Sequence, residues 1–482
     1  MKSLNPVTQT TARATHRGSG GSYPPAMTDY DLVIVGAGSG NMLPSEGLDG
    51  MRVAIIERDR FGGTCLNRGC LPSKMLVHTA DVAETVRDAG RFGIRAELAG
   101  ADWPAIRDRV FSRIDQASEH AVDFRRRSGV DVYVGEARFV APHVLEVNGE
   151  QLRSERIVLA VGSRPRVPDI VGLADVPFHT TDTIMRVDAL PASMVVIGGS
   201  YVAAEMSHVF GAFGTEITIV EREPKLLATL DDDVARRFTE RYSERFDVRL
   251  ESKVARVERT PHGVVAHLEG AAGSAVVEAE TILLATGRIP NSDVVDVAAG
   301  GLAVDEHGHV ITDDTYATNV PGVWAIGDLA NHFELKHLAN AEMRLVLHNV
   351  LHADDTHRAN FAVMPSAVFA DPQVSTAGPT ERALREQGKP FVVAHRDYSD
   401  TGYGWALEDT TSFVKLIGDP TTRRLLAAHI IGPQAATLIQ PLVQAIFLDN
   451  TVDQLAHDVL YIHPAITEVV AQALLELVRK LA

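Results

Sequence analysis

An α/β architecture with two Rossmann-like nucleotide-binding domains, followed by a separate C-terminal α+β domain, is predicted by three features of the sequence. Two glycine-rich turns, at 36–41 and 198–205, each follow a short apolar strand and precede a second strand that ends in an acid. Apolar runs at 157–165 and 282–291 enter further glycine turns and resemble each other. From about residue 361 the texture changes to alternating strands and amphipathic helices. These features divide the chain into 28–160 with 288–360 for the first nucleotide-binding domain, 161–287 for the second and 361–482 for the last.

In the first unit, Tyr30–Val35 runs into Gly36-Ala-Gly38-Ser-Gly40-Asn41, and Arg52–Ile56 ends in Glu57. Strand, glycine turn, helix, strand and acid, in that order, are the fingerprint of a dinucleotide site. The glycines admit a pyrophosphate at a helix N-terminus, and the acid holds a ribose diol. Asn41 stands at the third glycine position and Pro44 falls inside the expected helix. In the second unit, Met194–Ile197 leads to Gly198-Gly-Ser200-Tyr201, and Glu216–Val220 ends in Glu221. Ser200 and Ala203 replace the second and third glycines with small side chains. Two such units predict two dinucleotides, one bound permanently and one exchanged. The runs ending at Gly162 and at Gly287-Arg288 suit crossovers between the two domains, and Val323–Ile326 ends in Gly327-Asp328. Strands at 411–418 and 425–432 and helices at 434–448 and 465–480 are expected in the last domain.

The chemistry centres on Gly62-Gly-Thr64-Cys65-Leu-Asn-Arg-Gly-Cys70, just after the first ribose-binding acid. Cysteines at this spacing can approach closely enough for a disulfide. Half of a zinc site is the competing reading. These are the only two cysteines in the chain, so none is left to complete a thiolate set, although histidine ligands stay open. No metal site is expected. Near the end, Tyr461-Ile-His463-Pro464 precedes Glu468. The proline is expected to open a helix. A carboxylate there can hold one ring nitrogen of His463 and leave the other for proton transfer.

Charge and composition narrow the partners. The net charge of −17 argues against a nucleic-acid or anionic-membrane partner. No run reaches the roughly 18 apolar residues of a membrane span, and two cysteines give an oxidising compartment no support, so a cytoplasmic protein is expected. Residues 1–27 read as a disordered or tag-like extension. They lack the apolar stretch of a secretory signal, although a transit peptide is compositionally possible.

From about Tyr30 onward these motifs together resemble the class I pyridine nucleotide–disulfide oxidoreductases, of the glutathione reductase and dihydrolipoamide dehydrogenase type. Gly-Ser-Gly-Asn at 38–41, Leu-Lys-His-Leu-Ala-Asn at 335–340 and the stretch 403–410 are most similar to the actinobacterial mycothione reductases. The resemblance implies FAD and a reduced nicotinamide as cofactors. It implies cofactor binding by Gly36, Gly38, Gly40, Glu57, Thr64, Gly162, Gly327 and Asp328, and by Gly198, Ser200, Tyr201, Glu221, Arg222, Gly287 and Arg288. Glu57 would hold the adenosine ribose, Asp328 the ribityl chain, and Tyr201 would gate the nicotinamide face. Electrons would reach a Cys65–Cys70 disulfide, with Cys70 as the charge-transfer thiolate and Cys65 as the interchange thiol. Lys74 would pair with Glu205 near the flavin. His463, oriented by Glu468, would serve the other subunit of a homodimer, and the substrate would be a small-molecule disulfide such as mycothione.

Nicotinamide choice is divided between Glu221, which favours the hydroxyls of NADH, and Arg222, which matches a phosphate-binding arginine. The usual second arginine position is Ala228. NADPH is expected, with NADH possible. A dihydrolipoamide dehydrogenase is the alternative, but its usual His-x-His-Pro has Tyr461 at the first position. A redox-silent flavoprotein is opposed by the intact Cys65, Cys70, His463 and Glu468.

Overall fold

The computed structural model describes residues 27–43, 48–271, 273–361 and 363–482. The expectation for residues 1–26 and the place of Pro44 lie outside them. Five parallel strands form the sheet nearest the start of the chain, in the order Val323–Ala325, Ile157–Leu159, Leu32–Val35, Val53–Glu57, Asp131–Val134. Leu32, Val33 and Ile34 are fully buried, as expected of a central parallel strand covered on both faces. A second parallel sheet has the order Phe178–His179, Thr281–Leu284, Ser193–Ile197, Glu216–Val220, Asp247–Arg249. The strands Ser163–Pro165 and Arg288–Pro290 pair antiparallel, so the two similar segments seen in the sequence meet as one crossover ribbon. The C-terminal sheet is antiparallel: Ser366–Val368, Val374–Ala377, Leu425–Ile431, Phe413–Gly418, Val392–Asp397. Against it pack helices Ala435–Phe447 and Glu468–Leu481, whose apolar faces share one core with Leu416 and Ile430.

Register explains the two acids. Val35 pairs with Ile56, and Gly36 N–H donates to Ile56 O at 2.7 Å, so the next residue, Glu57, lies beside the glycine turn. Ile197 pairs with Val220 and Gly198 N–H donates to Val220 O at 2.9 Å, which sets Glu221 in the same way. Both turns need glycine at their first position. Gly36 and Gly198 have φ of 100° and 111°, and a Cβ on either would come within 2.3 Å of a carbonyl oxygen, of Ala160 and Ala285 respectively.

The two units diverge after the glycine turn. The second opens the helix Tyr201–Ala212. The helix expected after the first is absent among the described residues: Ser39–Asn41 makes one 3₁₀ turn, and no α-helix precedes Val53. The described residues of the return, 42–43 and 48–52, carry no helix. Arg125, 7% exposed, secures the turn. Its guanidinium donates to Asn41 Oδ1 at 2.7 Å and to the carbonyls of Asn41 and Leu43.

Candidate active site

A cavity of about 860 Å³ runs from Glu57 past the first glycine turn to the two cysteines and on to Tyr201. That volume lies in the roughly 300–1,000 Å³ range of cofactor sites. Gly36, Gly38, Thr64, Gly162, Gly327, Asp328 and Arg288 line it with Cys65, Cys70, Lys74, Glu205 and Tyr201. Gly40 lies behind the turn, where a Cβ would meet Ile34 Cγ2 at 2.8 Å, so its smallness serves packing. Gly198, Ser200, Glu221, Arg222 and Gly287 lie outside this cavity, around the second turn and crossover.

The cavity fits a flavin dinucleotide. Glu57 Oε2 accepts from Ala37 N–H at 2.8 Å and Oε1 from Asp59 N–H at 3.1 Å, which fixes an acid at the ribose end, and burial raises its pKa. Gly38 and Gly63 pack so closely that a Cβ on Gly63 would fall 2.7 Å from Gly38 Cα, leaving bare backbone along the wall. Asp328 Oδ2 accepts from Ser163 Oγ at 2.6 Å. Ser163 Oγ accepts in turn from Arg288 Nε at 2.7 Å, so the acid projects from a braced corner. Beneath it, Glu342 Oε2 accepts from Gly327 N–H at 2.6 Å and Oε1 from Asn331 at 2.8 Å. Burial lifts Glu342 to about 7. Ser163 and Glu342 carry no sequence signal, because their partners are remote in the chain.

Cys65 sits in the helix Gly63–Arg68 and Cys70 opens the helix Cys70–Asp88; the break at Gly69 turns the two thiols toward each other. Both are free thiols, close enough for each to set the other's proton affinity. The mutual coupling of the thiols pushes Cys65 up and brings Cys70 down to about 7 against its burial, with help from the Lys74 ammonium. The reduced pair therefore holds its negative charge on Cys70. Lys74 forms an ion pair with Glu205, lies 4.4 Å over the Phe369 ring, and Glu205 Oε1 also accepts from Phe369 N–H at 3.1 Å. Because the Cys70 pKa is lowered, its thiolate is present above about pH 7 and is lost as pH falls through that value. The long-wavelength thiolate–flavin absorbance of the reduced protein is expected to halve near pH 7 in a titration from about pH 9 to pH 5. A midpoint above about 8.5 would contradict the assignment.

Tyr201 Oη donates to Glu334 Oε2 at 2.6 Å, a partner not anticipated from sequence. Glu221 Oε1 accepts from Glu223 N–H at 2.9 Å and its Oε2 faces Gly199, the same posture as Glu57. Arg222 is exposed. His463 Nδ1 meets Glu468 Oε1 at 2.6 Å, the pairing expected from sequence. Pro464 does not open the helix, however. A turn intervenes, and Glu468 is the first helical residue. The imidazole is 76% exposed and does not line the cavity of its own chain. Around it Leu460 and Ile462 are 96% and 74% exposed. Two large apolar side chains thus stand bare beside the imidazole.

Residues 30–344 match the family model for pyridine nucleotide-disulphide oxidoreductases, and 364–474 match that family's dimerisation domain. Mycothione reductase of Mycobacterium tuberculosis is 40% identical over 94% of this chain and all of its own length. Dihydrolipoyl dehydrogenase of Haloferax volcanii is 30% identical over 92% of this chain and 96% of its own. Among solved structures, the HOCl-induced flavoprotein disulfide reductase RclA of Escherichia coli superposes with a TM-score of 0.81 at 24% identity, over 92% of this chain and 99% of that one, which shows a shared fold. No helix among the described residues is long and apolar enough to cross a membrane.

Proposed function

Since the chain belongs to the pyridine nucleotide-disulphide oxidoreductase family and is an enzyme that uses FAD and NAD(P)H, we propose that it reduces a low-molecular-weight disulfide, mycothione, to two molecules of mycothiol. The observation that carries the reductase chemistry is the Cys65–Cys70 thiol pair at the wall of a dinucleotide-sized cavity, beside the Lys74–Glu205 ion pair. The finer substrate assignment is supported by end-to-end similarity to a mycothione reductase at 40% identity, against 30% for a dihydrolipoyl dehydrogenase.

Bound FAD supplies the electron path between NAD(P)H and the cysteine pair. Glu57 would hold its ribose end and Asp328, braced by Ser163 and Arg288, its polyol. In the thiol half of the reaction, the neutral imidazole of His463 from a second copy takes the Cys65 proton as Cys65 Sγ attacks one sulfur of the substrate. A Cys65–substrate disulfide forms, the substrate S–S bond breaks, and the leaving thiolate takes a proton from His463 of a second copy. Cys70 thiolate then attacks Cys65 Sγ, closing the Cys65–Cys70 disulfide and releasing the second thiol. Glu468 keeps Nδ1 of the imidazole occupied, so that Nε2 handles the proton. Tyr201 and its Glu334 partner would cover the nicotinamide side until NAD(P)H displaces the ring.

Anaerobic titration with NADPH and NADH, followed by turnover on mycothiol disulfide and on lipoamide, tests this reading. Preferential turnover of mycothiol disulfide is expected; preferential turnover of lipoamide overturns the substrate assignment. NADPH is expected to be preferred by a factor of about 5–30 in kcat/KM. Arg222 is free to swing onto a 2′-phosphate, while Glu221 opposes that charge. Arg222→Ala should raise KM for NADPH and leave NADH unchanged, and a wild-type preference for NADH above about tenfold overturns the nucleotide assignment.

A further inference from the structure

A dinucleotide pyrophosphate carries two negative charges, and a glycine turn ordinarily offers it the positive end of the following helix. Among the described residues no α-helix follows the first turn, where Ser39–Asn41 makes a single 3₁₀ turn. The chain presents a cation at the same place instead. Lys336 opens the helix Lys336–Leu351, and its ammonium donates to Ser39 Oγ at 3.0 Å; Ser39 Oγ in turn donates to Asn340 Oδ1 at 3.0 Å. Lys336 and Asn340 are one helical turn apart, so a single helix face clasps the turn residue. The cations around the cavity are otherwise spoken for or remote. Lys74 pairs with Glu205, Arg68 with Asp59 and Asp182, Arg60 with Asp115, Arg164 with Asp293, and Arg288 reaches Asp328 at 3.8 Å. Arg58 is exposed beside Glu57. Among the described residues, Lys336 is the one partly buried cation lining the cavity with no carboxylate within 4.0 Å.

We propose that Lys336 takes the part of that helix dipole, with its ammonium positioned by Ser39 and Asn340 to pair with the pyrophosphate of bound FAD. Burial in the cavity pulls this ammonium below the usual lysine range, so it gains from an anion at close range. The two sequence stretches that set the chain's subgroup apart, 38–41 and 335–340, then form one device: the glycine turn and the cation that serves it. The inference needs FAD but not any particular disulfide substrate.

The experiment measures FAD release from holoenzyme by the rise of flavin fluorescence on dilution. In parallel, it measures the rate at which iodoacetamide modifies Cys65 in the reduced protein. Lys336→Met is expected to release FAD about tenfold faster or more, the scale of one charge-assisted hydrogen bond. Release from the variant should also respond less to added KCl, because one screened attraction is gone. Lys336→Arg should stay within about threefold of wild type, and any slowing of Cys65 alkylation on loss of this charge, which lies near both thiols, should be reversed in Lys336→Arg. If Lys336→Met does not purify folded, Lys336→Gln takes its place with the same expectation. Unchanged FAD release in these variants, with or without slower Cys65 alkylation, overturns the proposal; slower alkylation would assign the ammonium to the thiols instead.

Discussion

Cys65→Ser is expected to lower disulfide turnover by about 10⁴-fold or more, because Cys70 alone cannot both form and resolve the bond to substrate sulfur and loss of a covalent nucleophile removes the whole reaction path. The same variant should keep a long-wavelength absorbance band without added reductant. Its remaining thiol, Cys70, has no partner with which to form a disulfide, and Lys74 still favours its thiolate. Cys70→Ser should abolish both turnover and band. The pair of variants thus separates the two sulfurs by role. Steady-state assay and an absorbance spectrum of each protein suffice, and full turnover by Cys65→Ser would mean that another group attacks the substrate. The asymmetry has a local cause: coupling between the thiols pushes Cys65 up and Cys70 down, and the Lys74 ammonium adds to the fall at Cys70.

The second large effect concerns a residue that does not line its own chain's cavity. His463→Ala should lower turnover by about 10²–10⁴-fold, the usual scale of general acid–base catalysis. It should leave the absorbance of the reduced cysteine pair unchanged. If the imidazole serves a second copy, mixing His463→Ala with Cys65→Ser subunits rebuilds one complete site in each heterodimer. Random exchange of equal amounts makes half of the dimers heterodimeric with one of two sites intact, so about a quarter of wild-type activity should return. No recovery after mass-spectrometric proof of exchange would exclude a shared site. The bare Leu460 and Ile462 beside His463, and the dimerisation-domain match over 364–474, are the reasons to expect recovery.

What was legible in the sequence was local. A strand, a glycine and an acid on the neighbouring strand are tied by register, so Glu57 and Glu221 could be found from spacing. The two cysteines lie within one turn and its entry, and His463 and Glu468 lie within five residues, so their pairing also rests on short-range geometry. The strands expected at 411–418 and 425–432 are Phe413–Gly418 and Leu425–Ile431, within a few residues of those bounds.

Tertiary structure decided the rest. Spacing suggested a helix after Gly40, but the described residues there make one 3₁₀ turn, which Arg125 from a distant helix holds through Asn41 and Leu43. Asp328 was readable as an acid, but not its brace of Ser163 and Arg288. Lys336 was visible in a motif, yet not its hydrogen bond to Ser39, 297 residues away. Tyr201 was readable as a gate, and Glu334, 133 residues later, as nothing at all. The physical reason is common to these cases. Backbone hydrogen bonding and side-chain periodicity repeat over a few residues and leave a pattern in the chain, whereas the charge a buried side chain meets is set by which elements the fold brings alongside it.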